Sequence, residues 1–457
     1  MKKKTDFLFV YEVKNRELES VCLLKQELEH RGYTVEVAET WQNLHHYYEP
    51  RDAAVIVAFA LYGDGQVNYV THFAKKAKKI VNLQWEQVYT IGDEEAEGGT
   101  FWINGRATEG VHIAWGQHTY DRLTKDFGIS PRKVHLAGHI GLDFLKPALS
   151  GYYQDRDTLF REFNLDPHKP MCLYISSFSY VDMPQQELES PEYQGLAYSA
   201  NDFQRLSVRS QKTTLEWIEA ALKEKPDVEF VYRPHPAEVG NVALFELEQR
   251  QKNFHVIRDL SIKQWILAAD KIYTWYSTSV AEVFAAHKSC GVVRPERIPR
   301  EMEIRIYDGC PAIETQEDFL KDFTGEETRL LDTALLNHYY KLADGEYAYQ
   351  SICDKLEEVL KDDSYAYDFV PEMKTSFVTR IKRRIFPWIH RVLGHMWQKE
   401  YKWLHWLGAR CEKFRLIAER DAFTVRMIQN NYADEAEIQK IQQHIASVLN
   451  ANSTSQK

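Results

Sequence analysis

The chain has 457 residues, of which 44% are apolar and 27% charged, with a net charge of −10. That length implies at least two domains with cores of their own, and the acidic balance argues against nucleic acid as the general partner. No run of 18 apolar residues occurs, so no membrane span is expected.

The six cysteines (Cys22, Cys172, Cys290, Cys310, Cys353, Cys411) are scattered without CxxC or His-x-Cys spacing. They read as reduced thiols of a cytosolic protein, not as a disulfide frame or zinc site. Met1-Lys-Lys-Lys4 is basic, but the apolar run after it is too short for a signal peptide. Phe7–Tyr11 is instead the first expected strand. Asn15 is placed to cap a helix from Arg16, with Leu18, Val21, Leu24 and Leu28 on one face and Gly32 at its end. Strands follow at Thr34–Val37, Ala53–Phe59, Ile80–Leu83, His112–Trp115 and Val134–Ala137, with helices over Val67–Lys79 and His118–Phe127. Such alternation predicts an α/β doubly wound sheet.

A polar stretch between Leu145 and Pro167 separates this domain (1–150) from a second (165–330). The second opens with the strand Met171–Ile175. Residues 181–206 are polar and aperiodic, as expected of a functional or disordered loop. A helix over Ser210–Lys223 leads to strands at Val228–Tyr232, Phe254–Val256, Ile272–Tyr276 and Cys290–Val293. Helices are expected over Ile262–Ala269, from Val280, over Gln316–Phe323 and over Asp332–Leu360, the last group (331–373) packing back on the domains.

From Lys374 to Arg415 the composition changes: eleven Lys and Arg stand against Glu400 and Glu412, with Trp388, Trp397, Trp403 and Trp406 interleaved. Ile381, Ile385, Ile389, Val392 and Met396 keep helical spacing, and Pro387 is expected to kink or break the helix. Two readings of this extension (374–450) stay open. One is an interfacial helix at an anionic membrane surface, making the protein peripheral at the inner face; the other is a helix pair packed on the protein. Residues 451–457 are expected to be a disordered tail.

The chemistry concentrates in Val228–Glu282. A buried strand ends in Arg233-Pro234-His235-Pro236, a stiff turn at the strand end where parallel sheets place ligands. The next strand ends in Ser277-Thr278-Ser279, with Glu282 one turn later. Hydroxyls and free N–H groups at a helix start suit a phosphate. His235 suits a donor to a nucleotide phosphate or, protonated, an acid; its alternative is a structural turn histidine. Ser177, at the first strand end of this domain, is a further contact candidate, and Arg209 is placed to reach an anionic donor. His45-His46 lack ligand partners at metal spacing, no DxD motif is suitably placed, and GxGxxG is absent. A nucleotide-sugar site that needs no metal or other cofactor is therefore expected.

Several segments carry a family resemblance. Val10-Tyr11-Glu12-Val13-Lys14-Asn15-Arg16-Glu17-Leu18 with Arg31-Gly32, then Gln84-Trp85-Glu86-Gln87, Gly138 to Asp143, the Arg-Pro-His-Pro turn and Ser-Thr-Ser with Glu282 stand in family order. From about Phe7 to Phe323 the chain resembles bacterial surface-carbohydrate (capsular polysaccharide) biosynthesis proteins. Similar motifs occur in sialyltransferases, Kdo transferases and CDP-glycerol polymerases of teichoic acid synthesis. The resemblance implies a GT-B fold, two Rossmann-like domains facing across a cleft. It further implies a glycosyltransferase using a cytidine-nucleotide donor, with a lipid-linked or growing glycan as acceptor. Glu86 is then the base, near an aromatic that would raise its pKa, and Glu282 the ribose contact; His139 and Asp143 fall near the cleft. Relatives often carry Asp-Glu-Glu-Gly where this chain has Gln84-Trp85-Glu86-Gln87. Asp93-Glu94-Glu95 is thus a second candidate for the base, against its reading as a solvated acidic loop. A CDP-polyol phosphotransferase, a non-catalytic scaffold and, as a third, a nucleotide-sugar epimerase on the same fold are the alternatives.

Overall fold

The computed structural model describes residues 5–43, 51–74, 76–97, 102–238, 241–325, 333–342, 345–369 and 377–455. His45, His46 and Lys374 lie outside them. Two parallel six-stranded sheets form the centre of the molecule. The first is built from β1 (Thr5–Tyr11), α1 (Lys14–His30), β2 (Val35–Glu39), β3 (Ala53–Ala58), α2 (Asp64–Val70), β4 (Lys79–Asn82), α3 (Ile91–Glu95), β5 (Val111–Ala114), α4 (Gln117–Asp121) and β6 (Val134–Leu136). Its strand order is β2-β1-β3-β4-β5-β6.

After α5 (Arg156–Glu162) the second sheet begins with β7 (Met171–Ile175). Short α6 (Gln185–Leu188) and α7 (Pro191–Gln194) precede the long α8 (Ala200–Glu224) and β8 (Glu229–Arg233). Next come α9 (Val242–Arg250), β9 (Phe254–Val256), α10 (Ile262–Ala268), β10 (Lys271–Thr274), α11 (Val280–Ala285), β11 (Gly291–Val293), β12 (Ala312–Ile313) and α12 (Gln316–Thr324). The order is β12-β11-β10-β7-β8-β9. Two Rossmann-like units of this kind, with a helical C-terminal part, make the GT-B fold. The strands are buried on both faces, as parallel strands between helix layers must be. One face of the first sheet packs Leu18, Leu24, Ile352 and Ile445, and the second sheet packs Trp265 and Ile266 on one side and Ile218 and Phe319 on the other.

The remaining helices are α13 (Thr333–Tyr340), α14 (Ala348–Lys361), α15 (Phe377–Gln398), α16 (Lys402–Arg410), α17 (Glu412–Asn431) and α18 (Glu435–Ser455). Several elements differ from expectation. Asn15 lies inside α1, whose N-cap is Val13 without a side-chain cap. The helix expected over Val67–Lys79 stops at Val70. α8 starts ten residues before Ser210, because Ser199 caps it through the Asp202 N–H and Phe203 and Leu206 add to its buried stripe. The segment expected to be helical over Asp332–Leu360 is two helices. α15 runs through Pro387: one lost hydrogen bond is outweighed by packing against α17. The expected disordered tail is helical to Ser455, since α18 buries Ile438 and Ile445 in the first core.

The first domain meets both the second domain and α13 closely. The Ile91 N–H donates to the Glu303 carbonyl at 2.8 Å, and Trp115 stacks on Tyr340 at 5.8 Å. A Cβ at Gly116 would meet the His338 carbonyl oxygen at 2.3 Å, so only glycine permits this approach.

Candidate active site

Ile175 is level with both Arg233 and Thr274, so β7, β8 and β10 end together. Strand order reverses between β7 and β10, which opens a crevice at their carboxyl ends. A cavity of about 350 Å³ lies there, closed from the other side by the first domain. It gathers Glu86 from the first domain with Ser177, His235, Ser277 and Thr278 from the second. Tyr89 and Asp93, and Tyr193 and Tyr198 from the aperiodic 181–206 stretch, complete its walls.

The Gln84–Gln87 turn shows how one carboxylate comes to face this cavity. Gln84 takes a left-handed conformation, φ +46, held by its N–H on the Asn82 Oδ1 at 3.1 Å and its Nε2 on the Tyr89 hydroxyl at 2.9 Å. The Tyr89 hydroxyl donates to the Glu86 carbonyl. Gln87 donates to the Ile113 carbonyl at 2.8 Å and accepts from the Trp115 N–H at 2.9 Å. Gln84, Trp85 and Gln87 are buried, whereas the Glu86 side chain is 56% exposed. It was expected beside an aromatic. Instead Trp85 turns into the core, and Glu86 pairs with the Arg16 guanidinium at 2.5 Å. Arg16 also holds the buried Glu17 at 2.6 Å. Burial pushes the Glu17 carboxyl above its ordinary range, against the pull of Arg16.

The second candidate for the base is otherwise engaged. Asp93 accepts from the Thr90 hydroxyl at 2.7 Å and, across the domain boundary, from the Ala197 N–H at 3.0 Å. Glu94 lies 3.3 Å from Arg305 and 3.2 Å from His118, and Glu95 also pairs with Arg305. The acidic run is an inter-domain clamp, not a solvated loop.

On the opposite wall, the His235 Nδ1 accepts from the Ala237 N–H at 3.1 Å. The neutral ring therefore carries its proton on Nε2 and is a donor there. Burial lowers the His235 pKa to about 4, with Glu86 opposing and Arg16 reinforcing the fall. A neutral ring near pH 7 is a hydrogen-bond donor, not the protonated acid considered from the sequence. The turn is braced by Glu238, which the sequence reading passed over. Its buried carboxylate accepts from Ser176 at 2.6 Å, Gln211 at 2.6 Å, Tyr232 at 2.9 Å and the His235 N–H at 3.2 Å. A carboxylate three residues after a histidine in a proline-stiffened turn was the available signal.

Ser177 Oγ is buried without a hydrogen-bond partner and lines the cavity. Ser277 and Thr278 line it too. Ser279 caps α11 without a side-chain bond, and α11 is only six residues long, a weaker dipole than expected.

Other expected contacts lie elsewhere. The Arg233 guanidinium is bound to the carbonyls of Ile257 at 3.1 Å, Asp259 at 2.6 Å and Leu260 at 2.8 Å, fixing the loop after β9. Burial lowers its pKa to about 10. Arg209 pairs with Glu296 at 2.7 Å on the surface. Asp143 is buried, accepts from the Tyr349 N–H at 2.8 Å and pairs with Lys146 at 3.2 Å, which makes it structural. His139 packs edge-on to Trp115 at 4.2 Å, with a buried, unpartnered Nδ1. Burial, then Lys263 and Arg16, lowers its pKa to about 3. Glu282 does not line the cavity; burial raises its pKa and Lys263 opposes. Among the described residues no three His, Cys, Asp or Glu side chains gather as metal ligands.

A scan against family models and a sequence search of curated proteins both give no match. Solved structures of similar fold do exist. The wall teichoic acid polymerase TagF, soaked with CDPG, is 12% identical over 79% of this chain and 89% of its own, with a TM-score of 0.50. A UDP-GlcNAc 2-epimerase of Methanocaldococcus jannaschii, in complex with UDP-GlcNAc and UDP, is 13% identical over 78% of this chain and 100% of its own, at 0.48. The UDP-GlcNAc 2-epimerase of Neisseria meningitidis bound to UDP-GlcNAc gives the same identity, coverages and score. At these identities the likeness is one of fold.

Proposed function

We propose that this chain is a GT-B glycosyltransferase that moves a sugar from a nucleotide-activated donor to a surface-polysaccharide acceptor. The observation that carries it is the convergence, in one inter-domain cavity, of a carboxylate from the first domain with an imidazole and hydroxyls from the second. The donor phosphates lie against Ser177, Ser277, Thr278 and the Nε2–H of His235, which meet charge as it develops on the leaving oxygen. Glu86, oriented by Arg16, takes the proton of the acceptor hydroxyl. The new bond forms from that oxygen to the anomeric carbon as the bond from carbon to phosphate oxygen breaks, and the electron pair leaves with the nucleotide. Transfer proceeds without a metal. The tyrosines of the 181–206 stretch offer ring faces for the base or sugar. A cytidine nucleotide is the favoured donor, supported by the motif kinship and by the fold shared with a polymerase soaked with CDPG.

That shared fold also favours one second reading, a CDP-polyol phosphotransferase using the same cradle. Supplying cytidine- and uridine-linked sugars and CDP-glycerol with a lipid-linked glycan, and identifying the released nucleotide, separates the two. CDP or CMP from a sugar donor supports the glycosyltransferase; CMP from CDP-glycerol alone supports the phosphotransferase. Polysaccharide production unchanged in His235→Ala would leave a scaffold.

A further inference from the structure

The C-terminal helices present a surface that the catalytic reading does not use. α15 meets α17 along one stripe: the His390 Nδ1 lies 2.6 Å from Asp421, and Gln398 donates to the Ala422 carbonyl at 2.8 Å. Between them Gly394 approaches so closely that a Cβ would meet the Asp421 carbonyl oxygen at 2.5 Å. The spacing 390, 394, 398 fixes the opposite face outward. There Trp388, Val392 and Met396, flanked by Arg391 and Lys399, line a groove of about 280 Å³ that ends at Tyr401. α16 continues the pattern. Leu404 and Gly408 turn inward, Gly408 against Trp397. Trp403, Trp406 and Leu407 share the other face, and the Arg410 guanidinium stacks 3.6 Å over Trp406. Trp388 is 65% exposed, Trp403 54% and Trp406 57%.

We propose that the outer faces of α15 and α16 seat on the surface of an anionic lipid bilayer, lying in its interface. Charge argues for that occupant: residues 374–415 carry eleven Lys and Arg against two Glu, in a chain whose net charge is −10. Tryptophan among Lys and Arg suits the lipid headgroup boundary; Trp, Met and Arg also suit a protein interface, so it is the excess of positive charge that selects the anionic bilayer. Among the described residues no helix is long and apolar enough to cross a membrane, so the contact is peripheral. The surface is tied to the cleft. At the end of α17, Asn431 accepts from the Tyr11 hydroxyl at 2.8 Å and from the Lys14 N–H at 3.1 Å. The first turn of α1, which Lys14 begins, is the one that delivers Arg16 to Glu86.

Removing everything from Lys374 onward would strip α18 from the first core, so surface substitutions are the cleaner probe. The full chain is sedimented with vesicles of phosphatidylcholine alone and of an equimolar mixture with phosphatidylglycerol. It is expected to pellet with the anionic vesicles only, and less at high salt. Trp403→Ser with Trp406→Ser should weaken binding about tenfold or more, and Lys399→Glu with Lys402→Glu should abolish it, circular dichroism and Tm staying as in the parent. Equal binding to neutral vesicles, or anionic binding that neither double variant changes, overturns the proposal. So does a parent that ignores both vesicles but elutes as a dimer split by the tryptophan substitutions, which would assign the face to a second copy. The readout is sedimentation, so its outcome is separate from that of the transferase assay.

Discussion

The two walls of the cleft hold their exposed side chains by different chemistry. In the first domain, neutral amides do the bracing: Asn82, Gln84 and Gln87 satisfy one another and the backbone around them, and Glu86 is left facing out. In the second, a buried charge does it: Glu238 collects four donors and thereby fixes the turn carrying His235. Burial pushes the Glu238 carboxyl upward while its hydrogen bonds pull down. A neutral brace can lose a partner at moderate cost. A charged one cannot, because its donors are left buried and unpaired.

Substitution should expose that asymmetry. Glu238→Ala strands Gln211, Ser176, Tyr232 and the His235 N–H, and is expected to cost about 3 kcal/mol or more, together with donor binding. Gln87→Ala loses the clamp on the Ile113 carbonyl and the Trp115 N–H and should cost about 2 kcal/mol. Urea unfolding checks both; equal losses would remove the distinction.

A graded effect comes from pH. Burial lowers the pKa values of His235 and His112 to about 4 and of His139 to about 3. Their unfolded pKa values are near the ordinary 6.5, so the unfolded chain binds protons first as pH falls. The stability these neutral rings contribute is full above that value and is lost as pH drops toward 4. The slope is at most about 1.4 kcal/mol per pH unit for each ring. Thermal melts across this range should show a falling Tm, and His235→Gln should flatten the slope; a Tm constant from neutrality to about pH 4.5 contradicts the burial argument.

Much of the fold was legible in the residues. Short β-branched and aromatic runs marked the sheets, and β7 and β9 were placed to the residue. What escaped depends on distant packing. The first ten residues of α8 carry few apolar positions, β12 is two residues long, and α15 continues through Pro387 because α17 supports it. The site divides the same way. Glu86, Ser177, His235, Ser277 and Thr278 sit at strand ends, where a parallel sheet converges, and they meet. Arg233, Asp143 and Arg209 carry the right functional groups, but neighbouring carbonyls, Lys146 and Glu296 occupy them. Arg16 and Glu238 act through partners seventy residues away or buried under the turn, which spacing alone does not reveal.

The proposed division of labour in the cleft sets the donor on the His235 side and the base on the Glu86 side. Calorimetric titration of CMP, CDP, UDP and GDP into the parent, His235→Ala and Glu86→Gln, with turnover measured in parallel, tests it most directly. A cytidine nucleotide is expected to bind tightest, with a Kd raised about tenfold in His235→Ala, and an unchanged Kd with about a hundredfold lower turnover in Glu86→Gln. Nucleotide binding untouched by His235→Ala, or full turnover in Glu86→Gln, would contradict it.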